Sequence, residues 1–392
     1  MKRIKVTHLV FSLSAGGLEN GVVNLCNRLD PEIFDTSICV LEGGGELEDR
    51  LDRERVKLYE VRRHFGNDPS VPLRIAGQLW RRGADILHTH NWVTLVEGSA
   101  ATTLARVPVL IHGEHGYPME ERARNVKVQR FLWSKAVTQL LSVSGELAEA
   151  MSKLTGLSRD LIEVLPNGVD TTKFQPQPAD RANLRAQFGL PAEGIMIGMV
   201  ARLVPVKNHA GAIDALARLR QQGIDAHLVL AGRGELETPL REQARAENVE
   251  DVVHFLGFRD DIDQVYNALD IFLLNSHREG MSNTIVEAMA CGVPVVASDV
   301  GANAESIVEG ETGFLVPPDA PEELAAALGK LVDAELRARF ATAARRRIEE
   351  NFSIASMVQR YSDLYVRLTR PRTSPQGVVA EASPATEQNV AP

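Results

Sequence analysis

Residues 270–299, DIFLLNSHREGMSNTIVEAMACGVPVVASD, decide the fold. Ile271 to Leu274 is an apolar run short enough for a buried strand. The polar turn HREGMSN follows, a helical segment opens at Ser282 or Asn283, and Gly292 and Pro294 precede a second, β-branched strand. Strand, helix and strand in so short a span make a βαβ unit, whose strands run parallel. In an open parallel sheet the ligand crevice lies beyond the carboxyl ends of the strands, which here is the turn at 277–283.

That turn carries Glu279, with Glu287 eight positions further on. On one continuous helix they would lie roughly 12 Å apart. With Glu279 in the loop and Glu287 in the second helical turn, leaning back toward the N-terminus, both can face one cleft. Between them the backbone N–H groups of Met281, Ser282 and Asn283 form an anion site strengthened by the helix dipole, and Gly280 lets a ligand approach the backbone. Carboxylates that accept hydroxyl protons beside an amide nest describe a sugar-nucleotide pocket. The plainer reading is a solvated helix start capped by Ser or Asn.

Outward from this unit, the alternation continues. Strand candidates in the first half are Ile4–Phe11, Thr36–Leu41, Val56–Val61, Asp85–His88, Val107–Ile111 and Gln139–Val143. Helical patterns lie between them, around Asn20–Leu29, Pro72–Arg82, Val93–Ala105, Arg122–Ala136 and Glu146–Leu154. Such alternation is an α/β doubly wound parallel sheet. No Gly-x-Gly-x-x-Gly follows the first strand, which points away from dinucleotide binding. Gly16 and Gly17 stand there instead, either a phosphate-cradling backbone or a plain tight turn.

Histidines cluster at expected strand ends, His88 and His90 in ILHTHNW and His112 and His115 in LIHGEHGYP. Their spacing, with Glu114, does not match a helical zinc motif, and no metal site is read. Strand-end histidines in such a sheet face the crevice. The stretch RARNVKVQRFLWSK (Arg122–Lys135) is a basic helix with an aromatic edge, suited to an anionic membrane surface or to a solvated helix face.

The segment LPNGVDTTKFQPQPAD (165–180) is rich in turn-forming residues and separates the two patterned halves. After it, GIMIGMVARL and AHLVLAG read as buried strands, with Arg202 at the first strand's end and Lys207 five residues later. Two fixed cations there suit a departing diphosphate, whose charge grows as the bond to it breaks. Phe258 and Arg259 end a further strand. RDDID (259–263) reads as an N-cap and first helical turn. Beyond Arg370 the chain lacks periodicity and is expected to be disordered over 371–392.

A chain of 392 residues, 44% hydrophobic and 24% charged, suits two or three soluble domains. Net charge −9 argues against a nucleic-acid partner. Three widely spaced cysteines, Cys26, Cys39 and Cys291, make neither a disulfide framework nor a zinc site and favour a reducing cytoplasm. The N-terminal apolar run is broken by Thr7 and His8 and reads as a first strand, and no run is long enough to span a membrane.

Together, SLSAGGLENGVVNL, the His-Gly pair, PNGVD, Arg202 with Lys207, and HREGMSNTIVEAMACGVPVVASDVGANAESI resemble the retaining glycosyltransferases of family four. Within that family they look most like sugar transferases of bacterial exopolysaccharide clusters, some of which accompany the exosortase (PEP-CTERM) system. The resemblance covers residues 4–368. It implies a GT-B fold, two Rossmann-like domains facing across a cleft. Residues 1–170 would form the acceptor side, 171–180 a linker and 181–353 the nucleotide-sugar domain, with a helix at about 354–368 crossing back onto the first domain.

The same resemblance assigns roles. Glu279 and His112 would contact the donor sugar, Glu287 the ribose, and Gly280 with the amides of Met281, Ser282 and Asn283 the pyrophosphate. Gly16 and Gly17 would face that group across the cleft, Arg202 and Lys207 would offset its charge, and Phe258 and Arg259 would lie at the nucleobase. The implied reaction moves a hexosyl group from a UDP- or GDP-sugar to a glycan or polyprenyl-diphosphate-linked acceptor with retained configuration. It needs no metal and no tightly bound cofactor, and runs in the cytoplasm or on the inner face of the membrane. A sugar-nucleotide epimerase and a non-catalytic nucleotide-sugar-binding module are the alternatives.

Overall fold

The computed structural model describes residues 2–14, 16–62, 68–116 and 126–370. Arg122 and Arg124 of the basic stretch, and the expected tail at 371–392, lie outside the described residues.

The first half alternates as β1 (Ile4–Val10), α1 (Gly17–Arg28), β2 (Phe34–Val40), β3 (Val56–Glu60), α2 (Val71–Arg82), β4 (Ile86–His90), α3 (Asn91–Ala105), β5 (Val109–Glu114), α4 (Val126–Lys135), β6 (Gln139–Ser142), α5 (Gly145–Thr155) and β7 (Ile162–Val164). These strands form one parallel sheet in the order β3-β2-β1-β4-β5-β6-β7. The sequence pattern gives six strands here. The seventh, β7, is three residues at the sheet edge, too short to show a period.

The second half follows with α6 (Arg181–Gln187), β8 (Ile195–Val200), α7 (His209–Gln221), β9 (Ala226–Ala231), α8 (Glu237–Ala246), β10 (Val253–Gly257), α9 (Ile262–Ala268), β11 (Ile271–Leu274), α10 (Asn283–Ala290), β12 (Val295–Ser298), α11 (Asn303–Ser306), β13 (Gly313–Val316), α12 (Pro321–Lys330), α13 (Ala334–Asn351) and α14 (Ile354–Thr369). Its parallel sheet runs β10-β9-β8-β11-β12-β13. β11 is buried at every position, as a central strand covered by helices on both faces must be. Both sheets reverse strand order once, between β1 and β4 and between β8 and β11, and crevices open at those points.

Two chain crossings join the halves and lie side by side. Val169 N donates to Phe352 O (2.8 Å) and Ile354 N to Val169 O (2.9 Å). A Cβ on Gly168 would come within 2.7 Å of the Ile354 backbone, so only glycine fits this crossing. Ser353 caps α14 by accepting from Ser356 N. Ile354, Met357, Tyr361, Leu364 and Tyr365 recur at helical spacing and are buried on the first sheet with Val6, Phe34, Ile86 and Ile111. At about 1.5–3 kcal/mol for each large side chain, this face accounts for the return of α14 to the first half.

Candidate active site

The loops after β8 and β11 flank the switch point of the second sheet, and their charges meet. Lys207 Nζ donates to Glu279 Oε1 at 2.5 Å, and Ser276 Oγ donates to the same oxygen at 2.5 Å. Ser298 Oγ in turn holds the Ser276 carbonyl at 2.6 Å, so the end of β12 braces the end of β11. Gly301, at φ +59°, lies against the Glu279 carbonyl, where any Cβ would collide. Arg202 is exposed, and among the described residues no carboxylate engages its guanidinium. A pinned carboxylate–ammonium pair and a free guanidinium thus share one crevice.

α10 begins at Asn283 with Ser282 in the N-cap position, but the Ser282 hydroxyl makes no cap bond and sits 3.0 Å from the Thr284 hydroxyl. The amides of Met281, Ser282 and Asn283 therefore keep no partner among the described residues, and their dipoles converge beside Gly280. Glu287, one turn along, accepts from the Tyr266 hydroxyl at 2.9 Å. Burial pushes its carboxyl up to about 7. Tyr266 comes from α9 and has no sequence spacing that marks it.

The first half closes on this loop. A Cβ on Gly17, at the start of α1, would lie 2.9 Å from Asn283 Nδ2, and one on Gly280 would lie 3.9 Å from the His115 carbonyl. Asn167 N approaches Met281 Sδ at 3.3 Å. Glu305 of α11 reaches across, its two oxygens accepting from Gly145 N and Glu146 N at 2.9 Å each, at the start of α5. Glu305 is missed by the sequence reading, since a single carboxylate after GAN carries no signal of its partner. Gly16 directly precedes α1 as its N-cap.

Phe258 follows β10 and is exposed, with the Arg233 guanidinium 5.7 Å from its ring. Arg259 is not free. It pairs with Asp261 through both Nε (2.8 Å) and Nη2 (2.5 Å). The helix start expected at 259–263 is present, with Asp261 in the N-cap position and Asp263 in the first turn of α9, although the Asp261 carboxylate serves Arg259 and not the amides of α9.

The strand ends of the first sheet also need correction. β4 and β5 run on to His90 and Glu114, with Thr89 opposite His112 and His90 opposite Gly113. His112 therefore lies inside a strand and not at its end. It is fully buried, its Nδ1 2.9 Å from the Thr89 hydroxyl and its Nε2 3.1 Å from Glu114, and its ring lies against Trp133. Polar residues extend the strand because they satisfy one another within the layer. Trp133 is buried too, so the outer face of α4 presents Val128 and Phe131 with Lys127, Arg130 and Lys135 and lacks the expected tryptophan.

On the opposite side of the sheet His8, His88 and His90 pack together with Tyr365 of α14, and half-buried His115 adjoins them at the end of β5. His8 lies directly across from His88 in the β1–β4 pairing, a neighbour that the register exposes and spacing along the chain does not. Burial holds His8 down at about 3 and His115 at about 4, and His88 and His90 well below the usual imidazole range.

Comparison with known proteins fits this layout. Residues 180–347 match the family described as Glycosyl transferases group 1, and residues 15–173 match Glycosyltransferase Family 4. The chain is similar to UDP-Gal:alpha-D-GlcNAc-diphosphoundecaprenol alpha-1,3-galactosyltransferase of Escherichia coli, 28% identical over 378 residues that span 93% of this chain and 97% of the relative. It is 27% identical over 317 residues to EpsF of Bacillus subtilis (strain 168), named as a glycosyltransferase, with 75% and 79% of the two chains covered. Among solved structures it resembles Anabaena Alr3699/HepE in complex with UDP, with a TM-score of 0.82, 25% identity, and 93% and 100% of the two chains covered. The same Anabaena protein in complex with UDP-glucose gives a TM-score of 0.79 at 25% identity, with the same coverage.

Proposed function

The chain belongs to the glycosyltransferases of group 1 and family 4, with the GT-B fold, and from that premise we propose that it is a retaining hexosyltransferase using a uridine diphosphate sugar. The acceptor is a hydroxyl on a glycan carried by a lipid diphosphate, and the product belongs to a cell-surface or exopolysaccharide. The observation that carries this reading is the pair Lys207–Glu279 set beside the unpaired amides of Met281, Ser282 and Asn283. The Anabaena complexes with UDP and UDP-glucose support the donor, and the Escherichia coli relative, named for a diphosphoundecaprenol-linked sugar, supports the acceptor.

In this reading the diphosphate lies on the α10 amides, with Arg202 and Lys207 offsetting its charge and Gly16 and Gly17 closing over it. Glu279, held by Ser276 and Lys207, contacts the sugar hydroxyls, Glu287 with Tyr266 takes the ribose, and the backbone at Phe258 and Arg259 borders the base. The bond from the anomeric carbon to the diphosphate oxygen breaks while a bond to the acceptor oxygen forms on the same face. The acceptor proton passes to the departing diphosphate. Charge developing on that group is met by fixed cations and dipoles, so the step runs without a metal ion. Closure of the two halves, with Glu305 of α11 holding the first amides of α5, aligns the reactants and excludes water.

A lipid-linked acceptor requires access to a membrane surface. No helix among the described residues is long and apolar enough to cross one. Val128 and Phe131 are exposed on α4 among Lys127, Arg130 and Lys135, which supports peripheral docking on anionic lipid. Flotation with anionic vesicles checks this, and absence of binding at low salt removes it.

The test of function is incubation with UDP-galactose or UDP-glucose and GlcNAc-α-diphosphoundecaprenol in EDTA, with the product's anomeric configuration read by NMR. Transfer with an α linkage is expected. An inverted linkage, or dependence on added metal, contradicts the mechanism. Isomerised donor without acceptor would instead identify an epimerase, and UDP binding without turnover toward water or any acceptor a binding module.

A further inference from the structure

The buried histidines of the first sheet stand apart from the donor pocket and form one continuous chain. His115 Nε2 lies 3.0 Å from His90 Nδ1, and His90 Nε2 lies 3.1 Å from His8 Nδ1. His8 Nε2 lies 3.3 Å from the Tyr365 hydroxyl, which lies 2.9 Å from His88 Nδ1. The two remaining ring nitrogens, His115 Nδ1 and His88 Nε2, are buried and have no partner among the described residues.

Proton counting limits what this chain can be. Four neutral imidazoles and one phenol carry five protons for six places, namely the four hydrogen bonds and the two open ends. Each bond needs one proton, so one end is protonated and the other bare. Only two arrangements satisfy every bond, and passing from one to the other shifts each bonded proton across its own bond while one open end gives up its proton and the other takes one up, so every ring ends neutral.

Neutrality follows from the surroundings. The titratable groups packed on the chain from other elements are His112 of β5, Tyr361 of α14 and Cys26 of α1. Burial raises Tyr361 and Cys26, which keeps both uncharged. Glu163, beside Tyr361, is paired with Arg367. Ligand atoms of His8, His88 and His90 also lie within 4.8 Å of one another. A divalent ion there would bring charge into a site with no carboxylate among these neighbours and would displace the hydrogen bonds.

We infer that His115 is a positioning residue for the acceptor hydroxyl, and that the chain behind it lets Nδ1 serve as either donor or acceptor while the ring stays neutral. This rests on the reading of the first half as the acceptor side. His115 stands at the carboxyl end of β5, where the crevice opens, with its carbonyl against the Gly280 loop that carries Glu279. An unpartnered buried nitrogen at the edge of a substrate cleft is satisfied when a ligand hydroxyl meets it.

The test uses the full chain with UDP-galactose and GlcNAc-α-diphosphoundecaprenol. Gln at 115 keeps an amide near the Nε2 place and so keeps the chain, but offers nothing at Nδ1; Asn does the reverse. His115→Gln is expected to raise the acceptor KM about three- to tenfold, the worth of one neutral hydrogen bond, and His115→Asn to raise it less. UDP affinity by calorimetry should stay within about twofold in both, since the chain lies outside the donor pocket. Tyr365→Phe removes the hydroxyl joining His8 to His88, and histidine ring 15N spectra should then lose the correlated tautomers expected of the wild type.

Equal acceptor KM in wild type and His115→Gln, an imidazolium signal from His8 or His90 at neutral pH, or a stoichiometric bound metal would each overturn the inference. Loss of UDP binding by the wild type would instead defeat the donor reading. UDP binding without transfer to this acceptor would defeat the acceptor class and this role of His115 with it.

Discussion

The two sheets share a strand order and a switch point, yet their crevices are furnished in opposite ways. In the second sheet the polar groups are charged and stand in loops: Lys207 and Arg202 after β8, Glu279 after β11. In the first they stand within strands: His8 in β1 and His88 and His90 in β4, which burial keeps neutral, and His112 in β5, bonded to Thr89 and Glu114. A loop lets water or a ligand compensate a charge, whereas a strand covered on both faces admits a polar side chain only if neighbours satisfy it uncharged. Charge in one half and neutrality in the other should therefore respond differently to mutation and to pH.

The largest contrast is in turnover. Lys207→Ala and Glu279→Gln should each lower transfer by about 10²–10³-fold, the usual loss when a fixed charge opposite a developing charge is removed. Their unfolding midpoints should stay near the wild-type value. His112→Ala should do the opposite, costing about 2–4 kcal/mol of stability through a cavity and the loss of one hydrogen bond each at Thr89 and Glu114. Steady-state kinetics and urea denaturation on the three proteins decide it. Near-normal turnover in Lys207→Ala would break the comparison at its stronger end.

Acid should weaken the first sheet. His8 and His115 are held at about 3 and about 4, below the unfolded value of 6.5, so the native state excludes protons that the unfolded chain takes up. Their contribution is present above pH 6.5 and lost as pH falls toward 4. Linkage gives about 2 kcal/mol per such histidine between pH 6.5 and 5. Burial holds His209 of α7 at about 4 as well, and it adds to the same trend. A urea midpoint unchanged from pH 7.5 to pH 5 would show that these rings are not neutral in the folded protein.

These differences also explain what the sequence makes legible. Charged residues stand out against an apolar background, and Arg202, Lys207 and Glu279 beyond strand ends and Glu287 in the helix that follows were all visible. Apart from the three-residue β7, the strands of both halves were visible from their apolar runs. Polar residues inside strands defeat that method, since His88, Thr89 and His112 look like strand ends until the pairing of β4 with β5 shows that each has a partner. Contacts between distant elements leave no local trace. Tyr266 on Glu287, Tyr365 on His88 and Glu305 on the α5 amides appear only once the helices are packed.

Glu305 measures how the halves are held together. Both its oxygens accept backbone N–H groups of the other half. Glu305→Ala should raise the donor KM about tenfold, as loss of charge-assisted hydrogen bonds shifts the cleft toward an open state. Hydrogen exchange at Gly145 and Glu146 should accelerate in parallel. Faster exchange with an unchanged donor KM would mean that closure at α5 is not coupled to donor binding.

The smallest effect runs against the histidine trend and tests the exception in the second half, where Glu287 is a buried acid. Its carboxyl is pushed up to about 7 by burial, above the unfolded value of 4.5, so the native state keeps a proton that the unfolded chain releases. That contribution is present below pH 4.5 and lost as pH rises through 7. Glu287→Gln cannot titrate, so the stability difference between variant and wild type should grow by about 1–2 kcal/mol from pH 5 to pH 8 in favour of the variant, after allowance for partial solvent access. The Tyr266 hydroxyl, which donates to the carboxylate, opposes the shift, and Tyr266→Phe should therefore steepen the pH dependence. Parallel stability curves for wild type and Glu287→Gln would mean that Glu287 is already ionised at pH 5. The second crevice would then hold charge even where it is most enclosed, and the contrast between the two sheets would be sharper still.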